Sequence, residues 1–443
     1  MGHKISISTE INSFYVIVSG LFRFNEKAVD EKKLQEHYCN WRHRIFNGNY
    51  AATFKYINQR YYDSYLNNIF PEIRYRESDT DHFNPKILNH LTRRECLENQ
   101  EYLKGLKLPV NDETTIQCGI EHIDLYLFPH EIGIFSLKFF LEKEQDMNLG
   151  TVSAFLNKIR YLTTGITISG TEQSMALQDF LENNVLKLLK LDENWADFNP
   201  QLKTYTCIDL KEEIPENEMD FLLYDIGNFS VIGSAKGEGV LAPSENYFRE
   251  QIHANKVSVF RNWSVLTLYD TFTRISINFP DQFKSWEYDY LNLYIHCLYQ
   301  KFYMYLTNSE LSNITVVSKR TEKIRDRFIE FINDYHHSHI SYRFLPDLLQ
   351  DKLLQSLEIH AEIERMETKI QRINEHFQER REKSFNIALI IITLLSVFSV
   401  LYDVSEWTIK MGVSRGVMYP WVSITNGIII FLLIYIIFRK GRK

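Results

Sequence analysis

Two apolar spans near the C-terminal end, about Phe385 to Tyr402 and Trp421 to Phe438, limit what this chain can fold into more than any other feature. Each is 18 residues long. As a helix, each would reach roughly 27 Å, close to the hydrocarbon thickness of a bilayer. A short polar loop joins them, and Arg439-Lys440-Gly441-Arg442-Lys443 follows the second, so the pair reads as a transmembrane hairpin. Arg380, Arg381 and Lys383 precede the first span and four basic residues follow the second, against Lys410 and Arg415 in the loop. Basic flanks stay inside, which predicts a multi-pass topology with both termini in the cytoplasm. Met1 to Thr9 is polar, so no secretory leader is expected, and the match of Met1-Gly2-His3-Lys4-Ile5-Ser6 to a myristoylation pattern is too short to carry weight.

Upstream of the spans lie about 380 residues, room for one large or two ordinary domains. The chain is 44% hydrophobic with a formal net charge of −7, and its basic residues are dispersed except at the membrane flanks, which argues against direct nucleic-acid binding. Cys39, Cys96, Cys118, Cys207 and Cys297 are scattered without a CxxC pair. They are expected to be reduced, buried thiols, neither a zinc site nor a disulfide framework.

The predicted fold class is an α+β cytosolic domain (residues 1–284), a long helical stalk (285–383) and the two-helix transmembrane domain (384–443). Strands are predicted at Ile5 to Ile11, Phe14 to Phe24, Thr204 to Leu210, Met219 to Ile232 and Val257 to Asn278. The clearest β signal is a hairpin, Ile123 to Phe128 and Ile132 to Glu142, turning at Pro129-His130-Glu131. Helices are predicted at Glu31 to Phe46, Thr151 to Leu162 and Thr171 to Leu189. From Ser285 the pattern is helical: Trp286 to Tyr305, Thr315 to Tyr335, a break at His336 to Tyr342, then an unbroken helix after Pro346. Within it Ile359, Ile363, Met366, Ile370, Ile373 and Phe377 form an a/d heptad seam, which needs a partner helix. No Pro or Gly lies between Pro346 and Gly412, so the seam should run directly into the first span.

Two helices cannot enclose a conducting path, so the hairpin is either an anchor or one part of an oligomer around an axis. Asn386, Thr393, Ser396 and Asp403 fall within an arc of about 100° on the first span. Such an arc should face protein or water, as a pore lining or as helix-to-helix hydrogen bonds. Asp403 would stand at the outer mouth, where a ring of carboxylates concentrates cations. Tyr402, Trp407, Tyr419 and Trp421 fit headgroup levels, and Asn426-Gly427 fits a close-packing point.

In this order of parts, in Asn386 and Thr393 at the pore helix, and in Tyr419-Pro420 and Phe438-Arg439-Lys440 at the second, the chain resembles the CorA superfamily of divalent-cation channels. The resemblance covers the whole length through topology more than through motifs. It implies a CorA-like funnel, a homo-oligomer that is a pentamer, and the inner membrane of a bacterium. One departure is large: the Gly-Met-Asn triplet after the pore helix is missing, replaced by Tyr402-Asp403-Val404-Ser405, with Met411-Gly412 only a reversed fragment. Magnesium selectivity therefore does not follow. The long soluble part and altered pore resemble the membrane effectors of bacterial type III CRISPR systems, which implies an adenylate-type messenger, such as the conjugate of AMP with S-adenosylmethionine, and loss of membrane integrity as output.

Three soluble features invite a site and fit plainer roles better. Gly233-Ser234-Ala235-Lys236-Gly237-Glu238-Gly239 could cradle phosphate but is not a Walker motif and reads first as a turn. Lys319, Arg320, Lys323 and Arg327 are interleaved with Glu322, Asp326 and Glu330, the pattern of a solvated helix face. Asp334, His336, His337 and His339 are metal-like only in spacing and sit in an interhelix break. No nucleophile motif or Rossmann fingerprint is present, so an enzyme is not expected. The resemblance thus implies a signal-gated channel with no tightly bound cofactor, a nucleotide-type ligand and a permeant divalent cation. Its alternatives are a constitutive Mg2+/Co2+/Ni2+ transporter and a non-conducting scaffold.

Overall fold

The structure is a computed structural model that describes residues 6–46, 55–74, 81–98, 103–111, 114–142, 145–168, 174–237, 242–279, 284–312, 319–412, 414–416, 420–425, 427–428 and 431. The chain divides into two compact units, Met1–Thr315 with Glu322–Met366, and Val316–Thr321 with Glu367–Lys443.

The first unit is α+β. Its strands are β1 (Ile11–Arg23), β2 (Tyr38–Asn40), β3 (Asn89–Arg93), β4 (Leu103–Pro109), β5 (Thr115–Phe128), β6 (Ile132–Leu141), β7 (Gly165–Thr167), β8 (Ser174–Ala176), β9 (Lys203–Leu210), β10 (Lys256–Val257), β11 (Trp263–Thr267) and β12 (Thr271–Ile277). Among the described residues they form one 12-stranded sheet, ordered β10-β11-β12-β9-β1-β6-β5-β4-β7-β8, with β3 also on β5 and β2 on β3. β12 and β9 pair in parallel, whereas β9, β1, β6 and β5 follow one another antiparallel.

The central strands are apolar on both faces because both are covered. On β1, Phe14, Val16, Val18 and Phe22 enter one core, and Ile17 and Leu21 are buried on the opposite face. On β5, Ile116, Cys118 and Ile120 share that first core with Ile123, Leu125 and Leu127. This is possible because a register shift between Ile120 and His122 inserts one residue and re-aims the alternation. Gly20 pairs with Phe135 and Gly133 with Phe22, and a Cβ on either glycine would lie 2.2–2.3 Å from the facing ring. The missing side chains are what lets the two rings lie over the strands, stacked at 6.5 Å.

Helices α1 (Leu149–Ile159), α2 (Leu177–Asn184) and α3 (Glu216–Gly227) supply buried residues to the first core. The other face carries α4 (Asp289–Ser312), buried from Asp289 through Gln300 on every side, as expected of a helix enclosed between layers. Tyr294 lies against Phe272 and Tyr205 of the sheet, and Tyr299 stacks on Phe128 at 4.1 Å. Outside it lie α5 (Lys319–Tyr335), whose Phe331 stacks on Tyr303 at 3.8 Å, and α6 (Phe344–Ser356). Last comes α7 (Ile359–Lys410), 52 residues long.

Several expectations need correction. Residues 6–9 form a turn, not a strand, and β1 starts at Ile11. Glu31 to Phe46 is not one helix: Glu31–His37 and Arg42–Phe46 flank β2, whose Tyr38–Asn40 pairs with β3. Met219 to Ile232 is not a strand, because Met219, Leu222, Leu223 and Ile226 recur at helical spacing and form the buried stripe of α3. Thr171 to Leu189 yields the short β8 before α2, and Val257 to Asn278 is a set of three strands. The helix after Pro346 breaks at Leu357 and Glu358, where Glu358 has φ 58°. The first apolar helix does not end at Tyr402 but continues through Asp403 to Lys410.

Candidate functional site

α7 contains the functional signal of the second unit. Among the described residues it is the one helix long and apolar enough to cross a membrane. Phe385, Ile387, Ile392, Leu395 and Val400 are large apolar side chains left exposed, whereas Ile390, Leu394, Val397 and Leu401, which share one face of the helix, are partly covered. Asn386, Thr393, Ser396 and Asp403 are exposed as well. The Thr393 hydroxyl donates to the Leu389 carbonyl at 2.8 Å and that of Ser396 to Ile392 at 3.0 Å. These hydroxyls are thus satisfied by their own helix, and Asn386 and Asp403 remain the strongly polar members of the arc. Pro420 to Thr425 is helical, while Tyr419, Asn426 and 432–443, hence most of the expected second span and the basic tail, lie outside the described residues.

The stalk seam begins inside the protein. Ile359, Ile363, Met366 and Ile370 are buried by this chain's own residues, and Ile373 and Phe377 are half-buried. The helix that carries the apolar span therefore starts from a packed position in the α+β unit.

The three features read as plainer elements take those roles. Gly233 and Gly237 have φ 100° and 89°, and the amides of Gly233 and Ala235 donate to the Asp225 carboxylate at 2.7 and 2.9 Å, so an internal anion already fills that turn; Glu238 and Gly239 lie outside the described residues. Arg327 pairs with Glu310 at 2.8 Å. His336 faces Gln300, His337 the Asp334 carbonyl and His339 the Asp347 carboxylate, so the cluster diverges. Among the described residues no group of three or more potential ligands could hold a metal. All five cysteines are free and buried, and burial pushes the Cys39 thiol up to about 12.

Two features had no sequence signal. The first is a buried polar layer between sheet and α4. Lys138 of β6 lies 2.8 Å from both Glu121 and Glu287, and beside it His90, His122 and Asp124 sit almost wholly inside. Burial would raise the Asp124 pKa, but His122, His90 and Arg44 outweigh it and hold this carboxyl well below the usual range.

The second is a cleft of about 430 Å³ lined by Phe198, Lys203, Tyr269, Lys301, Tyr305 and Leu357 among others. Lys203 is ion-paired with Asp270, and Lys301 donates to the Leu357 carbonyl at 2.7 Å. Both ammonium groups lie over the Tyr269 ring, 5.1 and 4.4 Å from its centroid. The lining comes from β1, β9, the β11–β12 turn, α4 and the break before α7, so residues distant in sequence meet only in the fold. No family model matches this chain, and no curated protein matches it either.

Proposed function

We propose that this protein is an oligomeric, CorA-like membrane channel that opens in response to an adenylate-type messenger and so disrupts membrane integrity. The observation that carries the reading is the continuity of α7: one helix joins buried positions of the α+β unit, Ile359, Ile363 and Met366, to an exposed apolar span. A helix transmits displacement along its axis, so a change in the soluble unit reaches the span without a joint. In this reading the hairpin is completed by the second span, both termini face the cytoplasm of a bacterium, and Asn386 and Asp403 line the conducting path. Several copies, a pentamer by the CorA resemblance, surround that path with α7. A full switch requires the messenger to favour the open assembly by about 5.5 kcal/mol.

The test is the double variant Asn386→Leu/Thr393→Leu in proteoliposomes. The substitutions keep the span apolar, so insertion is retained while two of the four polar side chains of the arc, Asn386 among them, are removed. Flux of dye and divalent ions should disappear. Unchanged flux removes these residues from the path, and absence of flux in the unaltered protein favours the scaffold.

A further inference from the structure

The cleft beside β9 and α4 contains a cation that the protein itself leaves incompletely matched. The Lys301 ammonium has three donors. One meets the Leu357 carbonyl, and no carboxylate among the described residues lies within ion-pair distance of it. Lys203, on the same Tyr269 ring, has Asp270. Burial lowers the Lys301 pKa, with Glu358 and Glu362 pulling it back up from farther away. A half-buried, partly satisfied cation is costly unless an anion covers it. The same cleft is lined by Phe198, Tyr305 and the buried Phe302: Phe198, half-buried, meets Phe302 edge-on at 5.1 Å, and Tyr305 is parallel to Phe302 at 6.3 Å and 57% exposed. Rings left open on one side are platforms for a flat group. At about 430 Å³ the cleft lies within the range of small-ligand sites.

We propose that this cleft binds a phosphorylated planar heterocycle of mononucleotide size, its phosphate on Lys301 and its ring against Phe198 and Tyr305. Leu357 and Glu358 form the break from which α7 departs, so a phosphate that draws Lys301 away from the Leu357 carbonyl changes the hydrogen bonding of that break. The cleft thus supplies the sensing site of the proposed channel and deepens that reading. Binding is measured apart from conduction, so a channel without this site and a site without a channel give different results.

The experiment is calorimetric titration of the purified full-length protein in detergent with AMP, adenosine and inorganic phosphate, followed by hydrogen exchange of the Leu357–Glu362 amides with and without AMP. AMP should bind, with adenosine and phosphate each weaker. Lys301→Ala should weaken AMP by about tenfold or more, the value of a charge-assisted hydrogen bond. Tyr305→Ala, a change at an exposed ring that leaves the core intact, should weaken it by about fivefold or more through lost stacking. Exchange at the break should change on binding. Failure of AMP to bind at about 1 mM, or an unchanged affinity in either variant, overturns the site, and unaltered exchange at the break overturns its link to α7.

Discussion

At the residue scale, Lys138 is the most consequential single side chain in the polar layer. It is 3% exposed and bridges Glu121 and Glu287. Burial alone would raise the Glu287 pKa, but Lys138 and Lys284 outweigh it and bring it down to about 2. Lys138→Met removes the buried cation that both carboxylates share, leaving Glu287 with Lys284 at 2.9 Å and Glu121 partly exposed, and a loss of about 2–3 kcal/mol in chemical denaturation is expected. A loss below about 1 kcal/mol would show that the carboxylates find other partners. His130 gives a pH prediction. Burial, then the charge of Arg327, pushes its pKa down to about 4. The native state holds His130 neutral while the unfolded chain takes up a proton, so this stability is present above about 6.5 and is lost as pH falls toward 4. His90 acts in the opposite sense: burial lowers its pKa, but Glu72 and Asp124 outweigh this and raise it, so its contribution is present at low pH and lost as pH rises through the folded value. His130→Asn, which does not titrate and tolerates the left-handed backbone at φ 68°, should reduce the fall in urea midpoint between pH 7 and 4. An unchanged pH dependence would exclude His130 as a source.

At the scale of elements, the hairpin of β5 and β6 was legible because a proline-led turn separates two strongly alternating runs, and His130 and Glu131 indeed take positive φ. α3 was not, because Phe221-Leu222-Leu223-Tyr224 is apolar without interruption, and such a run does not distinguish a buried strand from a helix. The break before α7 had no signal either: Glu358 holds a left-handed backbone with no glycine to announce it. That conformation is costly for a residue with a Cβ, so Glu358→Gly should stabilise the α+β unit by about 1 kcal/mol. A destabilisation of that size would mean that the Glu358 side chain contributes more than its backbone costs. In the apolar helix, Leu395→Arg places a charge at the middle of the expected span and should cost about 3 kcal/mol of insertion. Membrane fractionation checks this, and full retention in the membrane fraction would count against Leu395 facing lipid.

At the scale of the whole molecule, the order of an α+β unit and then a long apolar helix was readable because hydropathy and helical periodicity are local properties. The cleft was not, because its lining runs from Leu21 to Leu357 and each contributing residue is ordinary in its own segment. The Asn386, Thr393, Ser396 and Asp403 arc was readable as a helix face, and all four residues are exposed in this chain. In the proposed channel a ligand would act on the α+β unit, α7 would carry the change, and an oligomer would conduct. Flux across proteoliposomes containing the unaltered protein, recorded for dye and for magnesium with and without adenylate messenger, tests it most directly. Flux that appears only with messenger is the expected result, whereas magnesium flux that is independent of messenger would contradict the gated channel and make the protein a constitutive transporter.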